Sequence, residues 1–207
     1  MWGSGRSGRR GAVARAAAVD AHTIGEAVLD RFRVAHPEVA AEDVPLVVAA
    51  TRQWFRVLGS RPGGEPAMPS RAVTGLWAAM VADDETWASF CAGALGDTPV
   101  HREPPDAGED AGAADLARTL AAARRDEPDA ASGLPLLFRV DAAVGILNAR
   151  RYLADCGGGG QCHPSPGVQC LVHLDGPGSP TRGIVKGRAT APAELGRIAR
   201  ARGGVDL

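Results

Sequence analysis

The stretch EDVPLVVAATRQWFRVLGS, residues 42–60, decides the fold class. Val44, Val47, Val48, Thr51, Trp54, Phe55 and Leu58 recur at steps of three and four, which places them on one face of an α-helix. Asp43 stands where an N-cap is expected. Pro45 falls in the first turn, where its missing N–H costs nothing. Gly59-Ser60 closes the helix, and the Pro/Gly-rich run Arg61 to Pro69 reads as a loop.

The same period extends outward in both directions. Upstream, a helical pattern starts at Ala12 and carries Ile24, Val28, Leu29, Phe32 and Val34 on one face. It stops at His36-Pro37, because a residue before proline is pushed out of the α region. Downstream, Ser70 caps a helix whose buried face is Val73, Leu76, Trp77, Met80, Trp87, Phe90 and Cys91, with Asp83, Asp84 and Glu85 facing water. Gly96 to Gly112 is a polar connector, Ala113 to Arg125 a short Ala-rich helix, and Pro135 to Leu147 a further apolar helical segment. No stretch alternates in the manner of a strand, and β-branched residues are sparse. The expected fold is mainly α, a small irregular helical bundle with a Gly/Pro-rich, largely disordered C-terminal tail. Its expected divisions are a disordered basic N-terminus at 1–11, a helical domain at 12–155, and a tail at 156–207 with a short helix near its end.

Composition agrees with an ordered centre and loose flanks. Apolar residues make up 45% of the 207, enough to bury a core, while the 27 glycines and 15 prolines gather at the ends and between helical segments. The formal charge of −1 argues against nucleic-acid binding through bulk charge. No apolar run reaches the roughly 18 residues of a membrane span, and Ala12 to Val19 is interrupted by Arg15, so no secretory leader is read. The expected location is the cytoplasm, where the four cysteines serve as thiols or metal ligands rather than disulfides.

Two blocks carry a family resemblance: Met68-Pro-Ser-Arg-Ala-Val73, Leu76-Trp77, Trp87, Phe90-Cys91 and Thr98-Pro99, then Leu134-Pro-Leu-Leu-Phe138, Asp141, Gly145-Ile146, Tyr152 and Cys156-Gly157. Together they resemble a family of uncharacterised helical bacterial proteins, common in actinobacteria and often labelled glycine-rich domain-containing. The resemblance covers about residues 36 to 160. It implies no established chemistry. In that family a His usually follows the tryptophan matching Trp77, and a His-His pair precedes the Thr-Pro. Here Ala78 and Leu95-Gly96-Asp97 occupy those places, with His101 nearby, so the resemblance implies a member without those histidines.

The sharpest candidate for chemistry is the metal-ligand set Cys156, Cys162, Cys170 and His173, with His163 beside it. Thiolates and imidazoles are the preferred zinc ligands, and Cys170-x-x-His173 has knuckle-like spacing. The gap from Cys156 to Cys162 is wider than usual, so thiols scattered through a low-complexity tail are the alternative. Cys91 reads as a small apolar packing group, with His101 the only base at hand in sequence. Trp54, Trp77 and Trp87 read as core rather than pocket lining. Asp83-Asp84-Glu85 point in different directions on a helix and do not converge on a cation. The glycines at 157–160 lack the Lys-Ser/Thr of a phosphate loop. Arg197, Arg200 and Arg202 flank Leu195 and Ile198 on a short basic terminal helix; docking on a partner, on anionic lipid or on nucleic acid is one reading, but a helix this short is marginal alone, which favours a frayed solvated tail.

No catalytic residues and no organic cofactor site are assigned. The expected function is a non-enzymatic helical interaction module with an unidentified protein partner. The alternative is a small zinc-binding protein, or a lapsed metalloenzyme, using the Cys/His cluster of the tail.

Overall fold

The computed structural model describes residues 4–60, 64, 66–96, 100, 102–104, 113–130, 133–154 and 168–171. They form a helical bundle in the order α1 (Ser4–Ala21), α2 (Glu26–Ala35), α3 (Val44–Gly59), α4 (Arg71–Val81), α5 (Asp84–Phe90), α6 (Ala113–Asp126) and α7 (Leu136–Ala143). A 3-10 turn at Ala41–Asp43 leads into α3, and a π turn at Cys91–Leu95 extends α5. Two three-residue strands, β1 (Arg151–Leu153) and β2 (Val168–Cys170), pair in parallel.

The bundle is organised around α3, which packs against α1, α4, α6 and α7. Its stripe buries Val44, Val47, Thr51, Trp54 and Phe55 as the periodicity predicts, while Val48 and Leu58 are only partly covered. Asp43 does not act as the cap. Its backbone is already helical and its side chain makes no capping bond, because the 3-10 turn supplies the entry instead. The tryptophans are core: Trp54, Trp77 and Trp87 are buried, and Phe55 meets Trp77 edge-on at 5.4 Å and Phe90 at 4.6 Å between centroids.

Two expected long helices are each broken in two. The first breaks at His22 to Gly25, where Gly25 takes an extended conformation before α2. The carbonyl of His22 accepts a hydrogen bond from Arg52 Nη2 at 3.0 Å, so tertiary contact satisfies one group exposed by the break. The second breaks at Asp83, whose carboxylate accepts from Thr86 N–H at 2.8 Å and caps α5. Asp83 is therefore a helix start rather than a solvated mid-helix position. Ser70 caps α4 as expected, accepting from Val73 N–H.

Both flanks carry more structure than composition suggests. The first helix begins at Ser4, so residues 4–11, expected to be disordered, continue α1. Arg6, Arg9 and Arg10 favour this extension and Gly5, Gly8 and Gly11 oppose it, so it relies on the helix already nucleated by the Ala-rich part. Within the segment from Cys156 onward, read as a largely disordered tail, Val168–Cys170 pairs with β1, and Cys170 and Leu171 are buried. Strands this short show no alternation to read. Pairing and burial, not pattern, make them.

Candidate functional site

A cleft of about 290 Å³ opens where α1, α3, the end of α6 and the start of α7 meet. The α3 helix supplies its wall. Arg52 and Arg56 stand one turn apart, with Ala49 and Gln53 beside them; Asp20 comes from α1, Asp126 and Glu127 from the end of α6, and Leu136 from α7. The local sequence explains part of this. Residues at i and i+4 share a helix face, so Arg52 and Arg56 project together.

The Arg56 guanidinium is a clamp. Its Nε and Nη2 donate to the two oxygens of Asp126 at 2.9 and 2.8 Å, and its Nη1 donates to Asp20 at 2.5 Å. Such a bidentate fork is among the stronger charge-assisted arrangements, and the hydrogen bonds of Asp126 hold the guanidinium above its ordinary value. Gln53, 2% exposed, is the hinge of the floor. Its Nε2 donates to Glu127 at 3.0 Å, and its Oε1 accepts from Leu137 N–H at 2.7 Å. Glu127 in turn accepts from Leu136 N–H at 2.7 Å and from Arg139 Nη2 at 2.9 Å. Burial pushes the Glu127 carboxyl up, but these donors together outweigh it and leave it below the ordinary glutamate value.

Arg52 differs from its neighbours. It donates to the His22 carbonyl, its Nε is buried with no acceptor among the described residues, and no ion pair forms on it there. His22 stands edge-on to Phe90 at 4.9 Å; burial first, and Arg52 second, lower its imidazole below the ordinary histidine value, which favours the neutral form. Burial also raises the Cys91 thiol, which disfavours the nucleophilic thiolate. Burial pushes the Tyr152 phenol up to about 12, out of reach of physiological proton transfer. The cleft can hold charge; among the described residues that line it there is no nucleophile with an adjacent base.

The predicted metal ligands are not brought together among the described residues. Cys170 is buried in β2 opposite Leu153, while Cys156, Cys162, His163 and His173 lie outside the described residues. Among the described residues no group of three or more His, Cys, Asp or Glu side chains could hold a metal ion. His101 and the basic segment with Arg197, Arg200 and Arg202 also lie outside them. No helix among the described residues is long and apolar enough to cross a membrane.

The cleft itself went unread in the sequence, though it left two signals. Gln53 sits inside an apolar stripe, next to Trp54. Asp126 and Glu127 follow one another at a helix C-terminus, where carboxylates oppose the helix dipole. Their partners, Arg56 and the N-terminus of α7, compensate that misfit.

No curated protein and no solved structure matches the chain. A family model described as UCP032817-like matches residues 14–174, a span that takes in the cleft, both strands and Leu171. The chain therefore belongs to the UCP032817-like family, an uncharacterised one.

Proposed function

We propose that the chain is a non-enzymatic helical interaction module, acting in the cytoplasm, with the charged cleft between α1, α3 and α6 as its docking face for a protein partner. The observation that carries this reading is the state of the cleft's charges. Arg56 is committed to Asp126 and Asp20, and Glu127 to the start of α7, which suits recognition better than proton transfer. A photo-reactive amino acid at Ala49, inside the cleft, should crosslink a defined partner in the native host. The same group at Val34, 83% exposed on α2, should not. A catalytic turnover assigned to the purified chain and abolished by one substitution would overturn the proposal.

A second reading, a small zinc-binding protein or lapsed metalloenzyme, is favoured by the strand register. Leu153 pairs with Cys170 in a parallel ladder, so the chain leaves both strands at the same end of the sheet. Cys156 follows Leu153, and His173 follows Cys170, at equal distances along the chain. Cys156, Cys162, Cys170 and His173 supply the thiolate and imidazole donors that zinc prefers. Metal content of the reduced full chain, compared with a Cys156→Ser/Cys162→Ser variant, tests it. About one zinc per chain, lost in the variant, supports the site, and metal-free protein in both removes it.

A further inference from the structure

We infer that α1 is a detachable strap, released from the bundle when the imidazole of His22, just past its C-terminal end, takes up a proton. The way α1 is held points to this first. Its links are largely polar: Arg15 Nη2 donates to the Gly59 carbonyl at the end of α3 at 3.0 Å, Asp20 accepts from Arg56 at 2.5 Å, and Arg52 holds the His22 carbonyl at 3.0 Å. Among its described side chains, residues 11–21, Val19 alone is fully buried, so little apolar area binds the helix. The break at His22 to Gly25 separates it from α2, so α1 can leave without unwinding its neighbour.

His22 is the group on which this docking turns. Its ring meets Phe90 edge-on at 4.9 Å, and its Nε2 is buried with no hydrogen-bond partner among the described residues. A neutral imidazole tolerates that position. An added proton finds no acceptor there and stands beside the Arg52 guanidinium. The carboxylates nearest in sequence are engaged, Asp20 with Arg56 and Glu26 with Arg33. On α3, Arg56 is committed to Asp20 and Asp126. The π turn packed on α1 carries the Cys91 thiol, which burial keeps protonated, and the α5 residues Asp84 and Glu85 stand exposed in its first turn, at the opposite end from Phe90. Burial and Arg52 hold the docked imidazole below the ordinary value of 6.5, to which release returns it. The released state therefore binds more protons, so docking is complete above that value and weakens as pH falls below it. Asp20 leaves with α1, and the same event opens one wall of the cleft and frees Arg56 Nη1.

The test is amide hydrogen exchange of the full chain at about pH 7.5 and about pH 5.5, each rate referred to the unfolded-chain rate at the same pH. Protection of residues 12–21 should fall about three- to tenfold at the lower pH, because a released imidazole is protonated by about ten to one a unit below its own value. Protection of α4 should hold. His22→Phe keeps a ring against Phe90 but cannot take up a proton, and His22→Gln is neutral at both pH values, so each should abolish the fall. The readout is confined to α1 and needs no partner, so it stands or falls apart from the interaction-module reading. A flat profile for α1 in the native chain, an equal fall in α4, or a fall that persists in either variant overturns the inference.

Discussion

Asp141 shows how one carboxylate can start a helix that it does not belong to. Projecting from α7 and 3% exposed, it accepts from Ser70 Oγ at 2.5 Å, Arg71 N–H at 2.7 Å and Ala72 N–H at 3.0 Å. These amides are among those an α-helix leaves without partners, and the positive end of the α4 dipole faces the charge. Asp141→Ala should cost about 3 kcal/mol, because several buried donors lose their acceptor at once, while Ser70→Ala should cost about 1 kcal/mol. Chemical denaturation of both variants checks the order. A second residue-scale constraint lies at Gly75, where an added Cβ would overlap the imidazole of His36, itself tilted against Phe32 at 4.8 Å. Alanine would favour the helix by about 1 kcal/mol, but overpacking against His36 should exceed that gain. We expect Gly75→Ala to destabilise the fold and the Gly75→Ala/His36→Ala double variant to recover stability, as a double-mutant cycle would show.

Among the elements, α7 depends most on distant residues. Its cap residue, Pro135, offers no side-chain hydrogen bond, and its first amides are met by Glu127 and Gln53 from other parts of the chain. The pH dependence follows from the Glu127 carboxyl lying below its ordinary value of 4.5. A depressed carboxyl contributes stability that is complete above the unfolded value and is lost as pH falls through the folded one. Urea midpoints of the native chain should therefore decline below about pH 4.5 more steeply than those of Glu127→Gln, which should itself be weaker at pH 7 by about 1 kcal/mol. Parallel slopes for the two proteins would exclude this role for Glu127.

At the scale of the whole molecule, the return of residues 168–171 ties the C-terminal part of the chain to the bundle. The ladder of β1 and β2 is only three residues long, so apolar burial rather than hydrogen bonding holds it. Leu171 is fully buried and belongs to the same core as Leu137 and Phe138. Leu171→Ala should cost about 3 kcal/mol by leaving a cavity. A chain cut before Cys156, lacking β2 and Leu171, should melt well below the full chain in a thermal scan followed by circular dichroism. An unchanged midpoint would make everything after residue 155 an independent tail.

The sequence by itself determined the mainly helical class and most of the core. Turns of α-helix impose a period on apolar residues, and Val47, Trp54, Phe55, Leu76, Trp77 and Met80 obey it. It also placed Ser70 as a cap, a local interaction spanning three residues. Only the tertiary structure decided the breaks at His22 and Asp83, the burial of Gln53, and the meeting of Asp20, Arg56 and Asp126 across three helices. Apart from the local Asp83–Thr86 cap, whose spacing of three was there to be read, those arrangements pair groups tens of residues apart, and a charged residue's partner leaves no periodic mark on the chain. The strands belong to the same class: with three residues each, their pairing is fixed by what Tyr152, Cys170 and Leu171 bury, not by any pattern within the segments themselves.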